Sequence, residues 1–331
     1  MLPLVLGANI ALALAYAFMN GYSDSGAIVA PAVASRATGR ERVLLAAAIA
    51  EFLGPFLFGT AVAAAIATSV VNTAVFSQVD LLMALLSTVG WRFFANWLRL
   101  PTSASHALMG GLIGAGLAAN GPSALNLPGI LRILLFLLAT PFLGLALGWL
   151  AYNGIFLLVR HATPRINRNF QVAELAATML LALNHGANDG QKSIGLLTLA
   201  LLIGGIIPRF QVLPLVTILC AVTLSAGVAI SSQRILWRVG GSLYRIRPIH
   251  GLAATSASFV TMLTSNVLGA PVSGVQILSA TIAGAGAAQR PSMVRWTVFQ
   301  SMAAAWLVTA PCTLICSAGL SWLAQRLTSL H

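Results

Sequence analysis

The sequence predicts an all-α polytopic membrane protein built from two repeats of inverted topology. Of its 331 residues, 58% are hydrophobic and only 7% are charged, whereas about a quarter of a typical soluble domain is charged. The mean hydropathy is +0.91, and apolar runs long enough to span a bilayer recur from end to end. Because lipid offers the backbone no hydrogen-bond partner, these runs are expected to form helices. The apolar start lacks the basic segment of a cleaved signal peptide, which predicts a retained first helix.

The arginines predict how the chain is oriented in the membrane. A net charge of +12 would suggest nucleic acid as the partner of a soluble protein, but these arginines lie at predicted helix ends and follow the positive-inside rule. The expected surroundings are therefore the lipid bilayer of a plasma (inner) membrane, with no nucleic-acid partner. Four basic clusters are assigned to the cytoplasm: 36–42, 160–168, 234–247 and 290–295. The segments 72–79 and 120–129 contain no basic residue and are assigned to the outside.

Two motifs occur twice in the same order and predict a duplicated unit. LPTSASHALMGGLIGAG (100–116) aligns with APVSGVQILSATIAGAG (270–286) at a constant offset of 170 residues. Upstream, NGYSD (20–24) matches HGAND (185–189), each with a glycine three residues before an aspartate. Residues 1–160 are therefore predicted to form the first repeat and residues 161–331 the second.

Charge and repeat together predict two re-entrant helical hairpins. With the basic clusters inside, a helix over 43–71 exits and a helix over 130–159 returns, so residues 80–119 must enter and leave on the outer side. Residues 250–289 must enter and leave on the cytoplasmic side. The two hairpin tips are expected to meet near the bilayer midplane. This layout, with paired buried carboxylates, is typical of secondary transporters and favours alternating access over a channel.

The hairpin tips predict an anion site. A new helix is expected to begin at about Ser103 and another at about Ser273. Helix N-termini carry free N–H groups and partial positive charge, and they bind anions. Two such N-termini facing each other would form an oxyanion site. The alternative is that the hydroxyl groups only cap two buried helices.

Charged residues within the apolar segments predict the coupling site. Carboxylates inside a membrane are costly and usually functional, and Asp24 and Asp189 form a matched pair, each after a glycine that could break its helix. Importing a dianion against an inside-negative potential costs energy. Coupled import of Na⁺ or H⁺ would supply this energy, and these two residues are expected to bind the coupled ion. Lys192, the only lysine, either forms an ion pair with Asp189 or faces the substrate as a cation.

Other ionisable groups near the motifs have two interpretations each. Arg99 either approaches the anion or pairs with Asp80 or Glu51, and Glu51 is either functional or the partner of Arg99. His106 and His185 each adjoin a motif, and each is either a hydrogen-bonded packing residue or a proton relay.

An intramembrane serine protease is the competing enzyme hypothesis. Ser273, next to Gly274, would be the nucleophile, with His106 or His185 as the base. This hypothesis explains neither the inverted repeat nor the paired aspartates. We therefore expect a transporter rather than an enzyme, with no cofactor apart from the coupling ion.

At these motifs the sequence resembles the inorganic phosphate transporter (PiT) family over nearly the whole chain. The segments in family order are NGYSDSGAIVAPAVASRA, LPTSASHALMGGLIGAG, NHGANDGQKSIGLLTLAL and APVSGVQILSATIAGAGAAQRPSMVRW. The resemblance implies uptake of inorganic phosphate, driven by H⁺ or Na⁺, in a homodimer. It implies phosphate contacts at Thr102, Ser103, Ser105 and Ser273. Lys192 and Arg99 are further candidates because of their charge, and Gly274 is one because of its backbone amide at the second tip. The resemblance also implies cation or proton sites at Asp24, Asn188 and Asp189, with Na⁺ held at Asp24 and Asp189.

Four positions depart from the family pattern. Ser23 and Ala27 replace polar residues of the first motif, and Gly274 and Val275 replace two threonines of the second tip. Because these ligands are lost, sulfate, which some family members transport, is an alternative substrate. Fewer oxygen ligands around an intact aspartate also favour H⁺ over Na⁺, since a proton needs only one carboxylate in apolar surroundings.

Overall fold

The computed structural model describes residues 2–35, 39–98, 100–163, 165–231, 243–244 and 246–328. Over these ranges the regular structure is helical, apart from one isolated β-bridge between Val71 and Leu125, so the predicted all-α class is confirmed. The first half forms α1 (Leu2–Ala34), α2 (Arg40–Leu57), α3 (Ala61–Thr68), α4 (Gln78–Trp97), α5 (Ala104–Asn120) and α6 (Leu127–Val159). The second half forms α7 (Ile166–Ile203), α8 (Pro214–Ala229), α9 (Pro248–Val267), α10 (Gly274–Gln289) and α11 (Trp296–Thr328).

Several of these helices have the dimensions of membrane spans. By length and composition, α1, α6 and α11 could each cross a membrane, and α2 together with α3 forms a fourth candidate. The axes of α2 and α3 are bent by 72°, so the single exit helix predicted over 43–71 is wrong. The helix ends there because Gly59 has a φ of +67°, the left-handed conformation in which helices commonly end.

Two helical hairpins carry the predicted tips. One consists of α4 and α5, and the other consists of α9 and α10. The second arm of each hairpin lies against the last helix of the other half, since α5 packs along α11 and α10 packs along α6. Likewise α1 packs on α8 and α2 on α7. Such reciprocal packing is expected of two related halves, and the division into residues 1–160 and 161–331 stays a prediction.

Glycines allow the hairpin arms to approach the long helices closely. A Cβ added at Gly110 or Gly114 of α5 would lie 2.2 Å from a carbonyl oxygen of α11. A Cβ added at Gly284 of α10 would lie 2.0 Å from a carbonyl oxygen of α6. Small residues let membrane helices pack at this distance. Gly114 and Gly284 are matched positions of the repeated GAG sequence, so the repeat explains why both arms pack in the same way.

α1 and α7 run unbroken through Asp24 and Asp189. The glycines of the two motifs, which could have broken these helices, therefore do not break them. Gly21 instead lets α1 approach α8, because an added Cβ would lie 2.0 Å from a carbonyl oxygen of that helix. Gly186 lets α7 approach α2 in the same way, at 2.2 Å. Because these glycines have no side chain, the neighbouring helices can pack closely against them. Both α1 and α7 continue past the aspartates.

Candidate functional site

The two hairpin tips touch each other, as predicted. Ser105, in the first turn of α5, donates a hydrogen bond from Oγ to the carbonyl oxygen of Val272 in the second tip, at 2.8 Å. The hydroxyl-bearing residues Thr102, Ser103, Ser105 and Ser273 are all buried. α5 begins directly after Ser103 and α10 directly after Ser273. Two helix N-termini therefore lie next to each other in one buried region.

The two tip serines differ in their hydrogen bonds. Ser103 Oγ accepts the backbone N–H of His106 at 3.3 Å and lies 2.9 Å from His106 Nδ1, so it caps α5. Ser273 Oγ is buried and has no hydrogen-bond partner within the described part of the chain. The capping interpretation therefore fits Ser103 but not Ser273. A buried hydroxyl group without a partner costs free energy, and a bound ligand would recover it.

The aspartates of the two motifs come together beside a histidine. Asp24 of α1 and His185 and Asp189 of α7 each place one ligand atom within 4.8 Å of the others. Glu51 of α2 lies on the other side of the imidazole ring, with Oε2 3.1 Å from His185 Nδ1, while Asp189 Oδ2 lies 3.4 Å from His185 Nε2. All four side chains are buried. We refer to these four residues as the acidic cluster.

Each aspartate of the acidic cluster has its own cationic partner. Arg92 Nη2, from α4, lies 2.9 Å from Asp24 Oδ1, and Lys192 Nζ lies 2.5 Å from Asp189 Oδ1. Lys192 also donates a hydrogen bond to the carbonyl oxygen of Val272 at 2.6 Å. Lys192 therefore forms the predicted ion pair and at the same time places its ammonium group at the second tip.

Sequence reasoning missed Arg92 and named Arg99, which lies outside the described residues. Arg92 is buried and stands in the apolar run STVGWRFFANW. A cation within such a run needs a carboxylate partner, and this signal could have identified it. The two partners predicted for Arg99 make other contacts: Glu51 faces His185, and Asp80 belongs to the capping box of α4.

Asn188 holds the second tip in place. Its Nδ2 donates hydrogen bonds to Asn266 Oδ1 at 2.7 Å and to the carbonyl oxygen of Ala270 at 3.1 Å. Its Oδ1 accepts the backbone N–H of Val272 at 3.2 Å. The amide group is therefore engaged with the tip in this conformation, and its role as a cation ligand stays a prediction.

The positions that lost polar ligands are closely packed. A Cβ added at Gly274 would lie 2.6 Å from Cδ2 of the His185 ring, so a larger side chain here would displace the ring. Ala27 and Val275 belong to the buried apolar core. Ser23 keeps a polar role, because its Oγ accepts a hydrogen bond from Arg92. Gly274 can therefore offer a ligand only its backbone.

The geometry does not support a serine protease. An activated serine is hydrogen-bonded to its general base, whereas Ser273 Oγ has no such bond in the described ranges. His106 contacts Ser103 instead, and His185 lies between two carboxylates.

Comparisons with known proteins identify relatives that match nearly the whole chain. Residues 20–317 match the family model described as the phosphate transporter family. A relative from Bacillus subtilis, named a probable low-affinity inorganic phosphate transporter, is 30% identical over 90% of this chain and 91% of its own. A relative of the same name from Rhizobium meliloti is 30% identical over 96% of this chain and 95% of its own. The solved structure titled "The sodium-dependent phosphate transporter" has a TM-score of 0.89 at 22% identity, over 97% of this chain and 99% of that chain, so the fold is shared.

Proposed function

Because the chain belongs to the phosphate transporter family, we propose that it imports inorganic phosphate across a membrane by symport with a cation. Membership of this family makes it an integral membrane transporter rather than an enzyme. The observation that carries the proposal is the contact between two helix-starting tips directly beside the buried Asp24, His185 and Asp189. We propose that the tips form the anion site and that the acidic cluster beside them forms the cation site.

Phosphate is proposed to bind where the two tips meet. The unpaired Oγ of Ser273 and the ammonium group of Lys192 both lie at the second tip. The N-termini of α5 and α10 supply backbone N–H groups and partial positive charge. The hydrogen bond between Ser105 and Val272 closes the tips on each other, so phosphate entry is expected to exchange it for hydrogen bonds to phosphate oxygens.

Phosphate, rather than sulfate, is the proposed substrate because of one buried acceptor. Asp189 Oδ2 makes no hydrogen bond among the described residues, its nearest ionisable partner being His185 Nε2 at 3.4 Å, and Lys192 links the same carboxylate to the second tip. A protonated phosphate oxygen can donate a hydrogen bond to this acceptor, whereas sulfate carries no proton at neutral pH. When the wrong ligand leaves a buried polar group of the site without a hydrogen bond, the site discriminates strongly against that ligand.

H⁺ is the proposed coupling ion because fixed cations already balance the aspartates. Asp24 pairs with Arg92, and Asp189 pairs with Lys192. Glu51 forms a third such pair with His185 when the imidazole ring is protonated. A Na⁺ at either aspartate would compete with the cation already there. A proton needs only a single acceptor, and chains of carboxylates and histidines are the usual proton carriers inside membranes.

Initial rates of radiolabelled phosphate uptake into proteoliposomes test this proposal. An inward proton gradient in Na⁺-free buffer should drive uptake, and an added Na⁺ gradient should change the rate little. Excess unlabelled phosphate should block uptake, and the same excess of sulfate should not. Uptake that requires Na⁺ would overturn proton coupling, and equal inhibition by sulfate would overturn the proposed selectivity.

The orientation of the chain in the membrane and its assembly as a homodimer are proposed from the sequence. The basic clusters 36–42, 160–168 and 234–247 include residues outside the described ranges, and 290–295 contains a short 3₁₀ turn, Pro291–Met293. Single cysteines placed in 72–79 should react with an impermeant reagent added outside the inner membrane, and those placed in 290–295 should not. The proposed homodimer is checked by the mass of the purified complex.

A further inference from the structure

The guanidinium group of Arg92 lies in a set of oxygen atoms that resembles a cation site. Four oxygens lie within hydrogen-bond distance of the single nitrogen Nη2: Asp24 Oδ1 at 2.9 Å, Asn20 Oδ1 and the carbonyl oxygen of Met19 at 3.4 Å each, and Ser23 Oγ. Carboxylate, amide and backbone carbonyl oxygens are the ligands that hard metal cations prefer. We refer to these four atoms as the oxygen cage.

The oxygen cage and its cation come from different helices. All four oxygens belong to residues 19–24 of α1, whereas Arg92 lies on α4, the first arm of the first hairpin. The side chains of Arg92 and Asp24 are only 3% and 4% exposed, so the charge is buried. A guanidinium group stays protonated in proteins. Because it is part of the chain, this cation cannot leave with the substrate.

The second motif has a sparser arrangement around its cation. Lys192 Nζ contacts two oxygens, Asp189 Oδ1 and the carbonyl oxygen of Val272. Lys192 also lies on the same helix as Asp189, three residues away. The two aspartates therefore match in the repeat but not in the way they are neutralised. Of these two cations, only Arg92 donates to four oxygens among the residues that the structure describes.

We propose that Arg92 is a tethered cation that occupies a Na⁺ position beside Asp24 and thereby makes this half of the site independent of Na⁺. Two cations at contact distance repel strongly in a buried site, so the guanidinium group excludes Na⁺ from the oxygen cage. Transported cations are then handled only at Asp189 and its neighbours Glu51 and His185. This inference deepens the proposed proton symport and rests on it for the transported substrate.

Removing the tethered cation is expected to create a dependence on Na⁺. In proteoliposomes, phosphate uptake by the wild type should be the same in Na⁺ and in choline buffers. In choline buffer, Arg92→Ala should take up phosphate at least tenfold more slowly than the wild type. Replacing choline by Na⁺ should raise the uptake rate of this variant at least tenfold. Arg92→Lys keeps the positive charge and should remain insensitive to Na⁺. Arg132→Ala is the matched control, because Arg132 is an exposed arginine of α6 that donates to the carbonyl oxygen of Leu268, away from the cage.

The melting temperature of detergent-purified protein tests the oxygen cage without transport. Na⁺, compared with choline at equal ionic strength, should raise the melting temperature of Arg92→Ala and leave that of the wild type unchanged. If Arg92→Ala does not fold, Arg92→Gln removes the charge while keeping a hydrogen-bonding amide near Asp24, and the same Na⁺ effects are expected.

Two results would overturn the inference. If Arg92→Ala takes up phosphate in choline as fast as the wild type does, the fixed charge of Arg92 does not act as a cation in transport. A folded neutral variant that responds to Na⁺ in neither assay would show that the oxygens do not form a cation site. If the wild type transports no phosphate under any gradient, the proposed function fails, while the effect of Na⁺ on the melting temperature still decides whether the cage binds Na⁺.

Discussion

Replacing Ser273 by alanine is expected to weaken phosphate binding without destabilising the protein. The Oγ of Ser273 is buried and makes no hydrogen bond to the described residues, so its removal breaks no bond within the protein. The free energy of unfolding should therefore stay unchanged or rise slightly. A hydrogen bond to a charged ligand contributes about 1.5–3 kcal/mol, so its loss should raise the Kd for phosphate about 10- to 150-fold.

Two other serines provide the controls. Ser103→Ala removes the cap of α5, which should cost about 1 kcal/mol of stability and lower the melting temperature, in addition to any loss of phosphate binding. Ser279 also has a buried Oγ without a partner in the described chain, but it lies within α10. Ser279→Ala should therefore change neither quantity.

The assay is equilibrium binding of radiolabelled phosphate to purified protein, together with the melting temperature of each variant. Equal changes in Kd for Ser273→Ala and Ser279→Ala would refute the placement of phosphate at the second tip. A lower melting temperature for Ser273→Ala with an unchanged Kd would refute it as well, since the hydroxyl would then be structural.

Asp24→Asn and Asp189→Asn are each expected to abolish gradient-driven phosphate uptake, because each leaves a buried cation without its counter-charge. Wild-type accumulation by Asp189→Asn would contradict the cation-site assignment. Wild-type accumulation by Asp24→Asn would show that Arg92 needs no counter-charge for transport. Asn188→Ala removes the hydrogen-bond partner of two backbone groups of the second tip, and each loss should cost about 1–3 kcal/mol of stability. The melting temperature should therefore fall. An unchanged melting temperature would show that other contacts hold the tip. Gly274→Ala places a Cβ 2.6 Å from the His185 ring and should cost about 1–3 kcal/mol of stability, measured by denaturant unfolding; a stability equal to that of the wild type would show that the ring can move aside.

The repeated motifs identified, from sequence, residues that the structure brings together. Duplicated halves are expected to place matched residues at matched depths. This is why the two hairpin tips could be predicted to meet and why Asp24 and Asp189 could be recognised as a matched pair. The helix starts after Ser103 and Ser273 also followed from local sequence, since a proline precedes each tip serine and a long apolar helix follows. These predictions need only the motif order and the preferences of single residues.

The remaining contacts depend on residues far apart in the chain. A glycine within an apolar helix either breaks it or admits a neighbouring helix, and only the neighbour decides, as Gly21 and Gly186 show. Arg92 and Asp24 are 68 residues apart, so the pairing depends on how α4 packs against α1. The amide group of Asn188 could equally have faced a cation, and its engagement with the second tip depends on where α9 ends.

Phosphate accumulation in Na⁺-free proteoliposomes tests the central claim most directly. Vesicles containing the wild-type protein are diluted into acidic buffer with radiolabelled phosphate, with and without a proton ionophore, and the internal concentration is measured at steady state. Coupling to protons predicts that internal phosphate exceeds the external concentration and that the ionophore removes the excess. Internal phosphate that only equals the external concentration, with or without the ionophore, would contradict proton-coupled transport by this protein.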